Sequence, residues 1–172
     1  MNNISVVKMQ GKNGGFALVD TQDFCRVNSY CWTLNDGGYP IRYVGRTPIY
    51  MHHEIIEVPK GFDVDHRNRC NFDCTRDNIR VATTSQNLFN STKRVSTVGR
   101  LSSSDFKGVM WDSKNNRWEV RITANRKRIF VGRFDSEIEA AKAYDSAARK
   151  YHGTFARLNF PLPGEQPARL SC

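Results

Sequence analysis

The hydrophobic rhythm of the C-terminal half is the clearest in the chain. FKGVMWD at 106–112, RWEVRITA at 117–124 and KRIFVGRF at 127–134 are short runs rich in β-branched and aromatic residues. SKNN at 113–116 and a tight Asn125-Arg126 join separate them. The pattern predicts three strands in two successive hairpins. Side chains alternate across a strand, so Trp118, Val120 and Ile122 share one face, and Arg117, Glu119, Arg121 and Thr123 the other. In the third strand Ile129 and Val131 oppose Arg128 and Phe130. One sheet face is therefore apolar and the other basic. At 136–153, SEIEAAKAYDSAARKYHG, the period becomes helical. Ile138, Ala141, Tyr144, Ala148 and Tyr151 form a stripe, Ser136 with Glu139 reads as a capping box, and Gly153 as the stop. A helix rich in alanine can lie close on the apolar face.

The N-terminal half is less regular. GFALV at 15–19 and YPIRYV at 39–44 read as strands, with NDGG at 35–38 as a turn. Phe24 and Trp32 read as core. IYMHHEII at 49–56 reads as a short helix carrying His52 and His53, and PKGF at 59–62 as a turn into a strand at Val64. Ser91–Ser104 has no apolar period and reads as a linker. Its Lys93, Arg94 and Arg100 suit either a DNA backbone or plain solubility. The fold class expected is α+β. The divisions expected are 1–94, a linker at 95–105, a sheet-and-helix domain at 106–161 and a tail at 162–172.

Charge narrows the partner. The 172 residues carry a formal net charge of +9 and a pI of about 9.6, a balance that favours a polyanion. Residues 1–94 hold 12 basic and 9 acidic side chains, and residues 95–172 hold 14 and 8, so the excess lies mainly in the second half. No run reaches the eighteen or so apolar residues of a membrane span, and the first residues lack a signal-peptide pattern. The expectation is a cytoplasmic protein without a membrane partner. Five cysteines without an export signal argue against a disulfide framework. Cys25 with Cys31 and Cys70 with Cys74 are spaced more widely than zinc-ribbon pairs, which disfavours a structural zinc on these four. Cys25 and Cys31 read as small core residues.

The chemistry concentrates between Val64 and Asn90, VDHRNRCNFDCTRDNIRVATTSQNLFN. Asp65 adjoins His66, and Asn78 and Asn87 follow. A carboxylate and an amide oxygen can hold a hard cation, and an imidazole can take a proton from water at neutral pH. Together they suffice for phosphodiester hydrolysis. Asp-His dipeptides and turn asparagines are common, so the residues alone leave the site open.

The order VDH, an Asn- and Asp-rich loop, NIR and ATTSQN resembles the HNH (ββα-metal) nucleases of phage and intron homing endonucleases. Asn87 lies 22 positions after Asp65, the offset of that subgroup. The resemblance implies Asp65 and Asn87 as ligands of one Mg²⁺ or Mn²⁺, His66 as general base and Asn78 as the residue that orients it. Asparagine at the last place makes this an H-N-N variant. His52-His53 stands where the family has His-Arg. His52 reads first as a satisfied, partly buried histidine and otherwise as a neighbour of the scissile phosphate, with His53 able to face that phosphate. KGVMWD, RWEVRI, EAAKAYDSAARKYHG and ARLNFP at 156–161 resemble the plant APETALA-two/ethylene-response-factor DNA-binding domain. That resemblance places Lys107, Met110, Arg121, Thr123, Arg128 and Phe130 at DNA-contacting positions, and Arg117 lies on the same basic strand face. Met110, Asp112 and Thr123 replace family arginines, so the plant target sequence does not carry over. The two resemblances imply a site-specific, homing-type endonuclease acting on double-stranded DNA in a bacterial or phage-infected cell. No dimer signal is present, so a monomer is favoured, with a dimer as the route to double-strand cutting. The alternative is a non-catalytic DNA-binding regulator on a degenerate nuclease fold.

Overall fold

The computed structural model describes residues 3–11, 14–92 and 103–168. The chain divides into two compact units, Met1–Thr83 and Thr84–Cys172. Among the described residues no helix is long and apolar enough to cross a membrane.

The first unit is built from short antiparallel pairs. β1 (Ile4–Lys8) pairs with β2 (Phe16–Asp20), which runs directly into α1 (Thr21–Asn28). β3 (Thr33–Leu34), β4 (Pro40–Val44) and β5 (Thr47–Tyr50) form a three-stranded sheet that continues into α2 (Met51–Ile55). β6 (Asp63–His66) and β7 (Ile79–Ala82) form a hairpin around a long loop. Val7, Val19, Val27, Trp32, Met51, Ile55, Cys74 and Ile79 make the core, with Phe24 packed on it. The Trp32 indole N–H is satisfied there by the Val27 carbonyl at 2.7 Å. Cys25 and Cys31 are exposed rather than in this core: on the short α1 the buried stripe is set by Asp23 and Val27, one turn apart, which turns Cys25 outward.

The second unit begins earlier than the sequence suggests. α3 (Thr84–Phe89) and Asn90 belong to it, ahead of the boundary expected near residue 94. The reason is specific bonding. The buried Arg157 donates to Asn90 Oδ1 at 2.7 Å, and Lys107 Nζ donates to the carbonyls of Phe89 and Ser91 at 3.0 and 2.5 Å. Phe89 stacks on His152 with ring centroids 3.9 Å apart. Lys93, Arg94, Arg100, Cys172 and most of the expected linker lie outside the described residues.

β8 (Val109–Asp112), β9 (Arg117–Ala124) and β10 (Lys127–Phe134) form the antiparallel sheet in the order β10-β9-β8. α4 (Glu137–His152) packs on it, followed by a 3₁₀ turn and the short parallel pair β11 (Arg157–Leu158) and β12 (Gln166–Pro167). Ser136 sits at the N-cap of α4 without a side-chain capping bond, so the expected capping box does not form. The buried stripe of α4 is Ala140, Ala141, Tyr144, Ala147, Ala148 and His152, while Ile138 and Tyr151 are exposed. Small alanines let the helix settle where Tyr144 fits the sheet, which rotates the stripe from its expected phase.

The β9–β10 join holds both Asn125 and Arg126 at positive φ, 51° and 60°, as a two-residue primed turn requires. An arginine there carries a steric penalty of roughly 1–2 kcal/mol that glycine avoids. Arg126→Gly should therefore stabilise the second unit by about 1 kcal/mol, measured by thermal unfolding of the purified variant.

Candidate active site and nucleic-acid interface

The β6–β7 hairpin sets Asp65 opposite Arg80 and His66 opposite Ile79. Asp65 is 2% exposed, and its Oδ2 accepts a hydrogen bond from Arg80 Nε at 2.8 Å, with the Arg80 Nη2 of the same ion pair 2.7 Å away. Burial pulls the Arg80 pKa down, and the Asp65 carboxylate holds it up.

The loop between the strands explains its own composition. Asn68 N donates to Asn78 Oδ1 at 2.9 Å, and Asn78 Nδ2 donates to the Asp73 carbonyl at 2.7 Å. Asp73 accepts from Asn68 Nδ2 and from Thr75 Oγ1, both at 2.7 Å. Leu18 N donates to the Phe72 carbonyl and Cys74 N to the Leu18 carbonyl, tying the loop to β2. Asn78 thus spends both ends of its amide on the loop that follows His66. Any influence on the imidazole runs through that backbone rather than through a direct bond.

His66 is 4% exposed. Its ring meets His52 edge-on at 5.2 Å and Tyr39 at 5.7 Å. Burial pushes its pKa down, against the pull of the Asp65 and Asp73 carboxylates. His52 is also buried, stacked on Tyr50 at 5.2 Å, and its Nδ1 has no hydrogen-bond partner among the described residues. It is therefore not the satisfied histidine that the sequence suggests. Burial, with His66 and His53 nearby, drives its pKa from 6.5 to about 3. His53 is exposed.

These buried neutral histidines couple folding to pH. The folded state binds fewer protons than the unfolded chain below 6.5, so stability is complete above that pH and falls as pH drops towards about 3. From His52 alone the loss should reach about 3 kcal/mol by roughly pH 4. Urea unfolding of the first unit, followed residue by residue by NMR between neutral pH and that value, measures it. His52→Phe should flatten the slope.

Asn87 lies exposed on α3. Among the four cysteines proposed for a structural zinc, Cys25 and Cys31 are exposed, Cys70 is half-buried and Cys74 is buried in the core.

In the second unit the sheet register builds a basic face row by row. Asp112 pairs with Arg117, which also bonds Asp135 at 3.0 Å. Met110, Glu119 and Arg133 form the next row, then Arg121 with Phe130, then Thr123 with Arg128. Met110, Arg117, Arg121, Thr123, Arg128 and Phe130 are all exposed. Lys107 is only half-buried, but its ammonium is bonded to the Phe89 and Ser91 carbonyls. Arg133 was not legible in the sequence as a member of this face. Strict alternation puts it with Ile129 and Val131, but a bulge between Phe130 and Gly132 reverses the parity and pairs it with Glu119. The glycine inside a strand pattern is the signal that could have revealed it. Glu119 is 4% exposed because Arg121 and Arg133 bond its two oxygens and cover it.

The closing LNF segment is held by α4. Asp145 accepts from Asn159 N at 2.8 Å and Phe160 N at 2.7 Å. Asn159 in turn accepts from Lys107 N at 2.7 Å and donates to the Lys107 carbonyl at 3.2 Å. Burial raises the Asp145 pKa, and the bonds from Asn159 and Phe160 lower it.

The protein is thus a two-unit chain of mixed helix and strand, one unit with a buried Asp-His hairpin and the other with a basic antiparallel sheet on a helix. Residues 104–154 match the AP2 domain family. A protein of Acanthamoeba polyphaga mimivirus named "Uncharacterized HNH endonuclease L560" is 31% identical over 151 residues, covering 85% of this chain and 75% of the viral one. The chain belongs to the same family as that viral protein, an HNH-type half joined to an AP2 domain. Two rice proteins are similar over smaller shares of the chain. An AP2/ERF and B3 domain-containing protein is 38% identical over 46% of this chain, and APETALA2-like protein 2 is 41% identical over 37% of it. The chain spans 22% and 14% of their respective lengths.

Proposed function

We propose that the protein is a site-specific, homing-type DNA endonuclease. The basic face of β8–β10 holds the duplex, with phosphate contacts setting register and Arg121 and Arg128 reading base edges. Asp65, His66, Asn78 and Asn87 make up an HNH site of the ββα-metal type. Asp65 and Asn87 would hold Mg²⁺ or Mn²⁺. Their carboxylate and amide oxygens are the hard donors such ions take. When bound, such an ion neutralises phosphoryl charge and stabilises the leaving oxygen. His66 takes a proton from the attacking water, which requires a neutral imidazole. Asn78 is a positioning residue that acts through the loop it closes.

The observation that best supports this reading is the pairing of His66, kept neutral by burial, with Asp65 beside it on one short strand. A second reading, a DNA-binding regulator without catalysis, draws on two other observations: His66 is 4% exposed, and Asp65 is already bonded to Arg80. For the nuclease reading, the rings of Tyr39 and His52 must part when DNA binds. Mg²⁺-dependent nicking of supercoiled plasmid, abolished by EDTA, separates the two. Nicking is the expected result, and its absence over a range of Mg²⁺ and Mn²⁺ concentrations would leave the regulator.

Binding itself should weaken steeply with salt, as phosphate contacts release counterions. If six phosphates are contacted, affinity should drop roughly 10³-fold between about 50 and 200 mM salt. Fluorescence anisotropy with a labelled duplex measures this, and a flat response would rule out phosphate-driven docking.

A further inference from the structure

His52, His66 and Cys74 lie together at the centre of the first unit. One ligand atom from each falls within 4.8 Å of the other two. All three are more than nine-tenths buried, at 5%, 4% and 0% exposure. Three different elements bring them there: α2, the end of β6, and the loop segment that pairs with β2. Among the described residues only a weak thiol contact, 4.0 Å from Cys74 Sγ to the Asn71 carbonyl, competes for the sulfur. The His52 Nδ1 has no hydrogen-bond partner among the described residues.

We infer that this triad is a binding site for a thiophilic divalent ion of the Zn²⁺ class, and that occupation switches the nuclease off. The donor set decides the ion. Two imidazoles and one sulfur suit zinc, whereas Mg²⁺ keeps to oxygen. Zinc bonds of about 2.0–2.3 Å require ligand atoms roughly 3.3–3.8 Å apart, so a small contraction of the cluster closes the site. Three protein ligands leave the fourth tetrahedral position to water. Binding converts the Cys74 thiol to a thiolate bonded to the ion and releases one proton to solvent. No electron is transferred.

The inhibitory consequence rests on His66 being the general base, since an imidazole bonded to zinc cannot take a proton from water. The site itself does not depend on that role. It is distinct from Asp65 and Asn87, so zinc here removes the base without displacing Mg²⁺.

Cobalt(II) is the probe for the site, because a thiolate–cobalt bond gives a charge-transfer absorption that oxygen and nitrogen ligands do not. Titration of the full-length protein should develop this band to one equivalent, and added Zn²⁺ should bleach it. Cys74→Ala, checked for folding by circular dichroism, should lack the band. His52→Phe should need much more cobalt to develop it, and serves if Cys74→Ala does not fold. No band in the wild type, or an equal band in Cys74→Ala, overturns the site. In Mg²⁺-supported plasmid nicking, Zn²⁺ should stop the wild type at a concentration at least about tenfold lower than it stops Cys74→Ala. Even groups outside a metal's own ligands change affinity by that factor. Equal inhibition of the two proteins overturns the switch while leaving the cobalt result standing. Failure of the wild type to nick without zinc counts against the nuclease reading and the switch together, and the cobalt titration then decides the site.

Discussion

His66→Ala should lower plasmid nicking by at least about 10²-fold, the usual loss when general-base catalysis is removed, and by up to about 10⁴-fold. Duplex affinity should stay within about twofold, because the basic residues proposed to hold the DNA belong to a different folded unit. The surroundings of the imidazole suit the task proposed for it. Burial against Tyr39 and His52 favours the neutral form, and the carboxylates of Asp65 and Asp73 keep the depression of its pKa in check. Alanine leaves a cavity among these rings, so circular dichroism and thermal unfolding must accompany the assay, with His66→Gln as a fuller replacement. Full nicking by a folded His66→Ala protein would show that this residue is not the base.

The second large effect is on stability. Gly108 has φ +76°, and a Cβ placed on it would lie 2.0 Å from Tyr144 Cδ2 and 2.1 Å from Cε2. No non-bonded carbon pair tolerates that approach. Tyr144 is 3% exposed and packed between α4 and the sheet, so its ring has no room to retreat. Backbone strain of about 1–3 kcal/mol adds to a similar overpacking cost, so Gly108→Ala should lose about 2–6 kcal/mol. For a unit of this size that lowers its melting temperature by about 8 °C or more. Duplex binding should fail at temperatures where the wild type still binds. A melting temperature within about 2 °C of wild type would mean that the Gly108–Tyr144 approach is not as close as described.

How much was legible depended on how strongly each segment's pattern spoke by itself. β9 and β10 occupy the residues that alternation predicts, 117–124 and 127–134, and α4 falls within one residue of its expected ends. Long strands and a sixteen-residue helix repeat their period often enough to be read. The phase of α4 was not readable, because five alanines offer several equivalent stripes and only packing against Tyr144 chooses. β1, α1 and β5 went unread. Each is eight residues or shorter, too short to repeat a period often enough to be read. The order Asp65, His66, Asn78, Asn87 was visible, since it depends only on spacing along the chain. The ion pair of Asp65 with Arg80 was not, because cross-strand partners follow from register.

By itself the sequence determined the local chemistry of each half. Net charge, the basic strand face and the Asp-His segment are properties of nearby residues, and local alternation and spacing suffice to reveal them. Only the tertiary structure decided which groups from distant positions share one environment. Arg133 joins the basic face because a bulge shifts parity, and Asn90 joins the second unit because Arg157 bonds it. His52, His66 and Cys74 converge because α2, β6 and the loop pack around one core. Burial, the cause of their shared reluctance to carry charge, is a property of that packing and is written in no single segment.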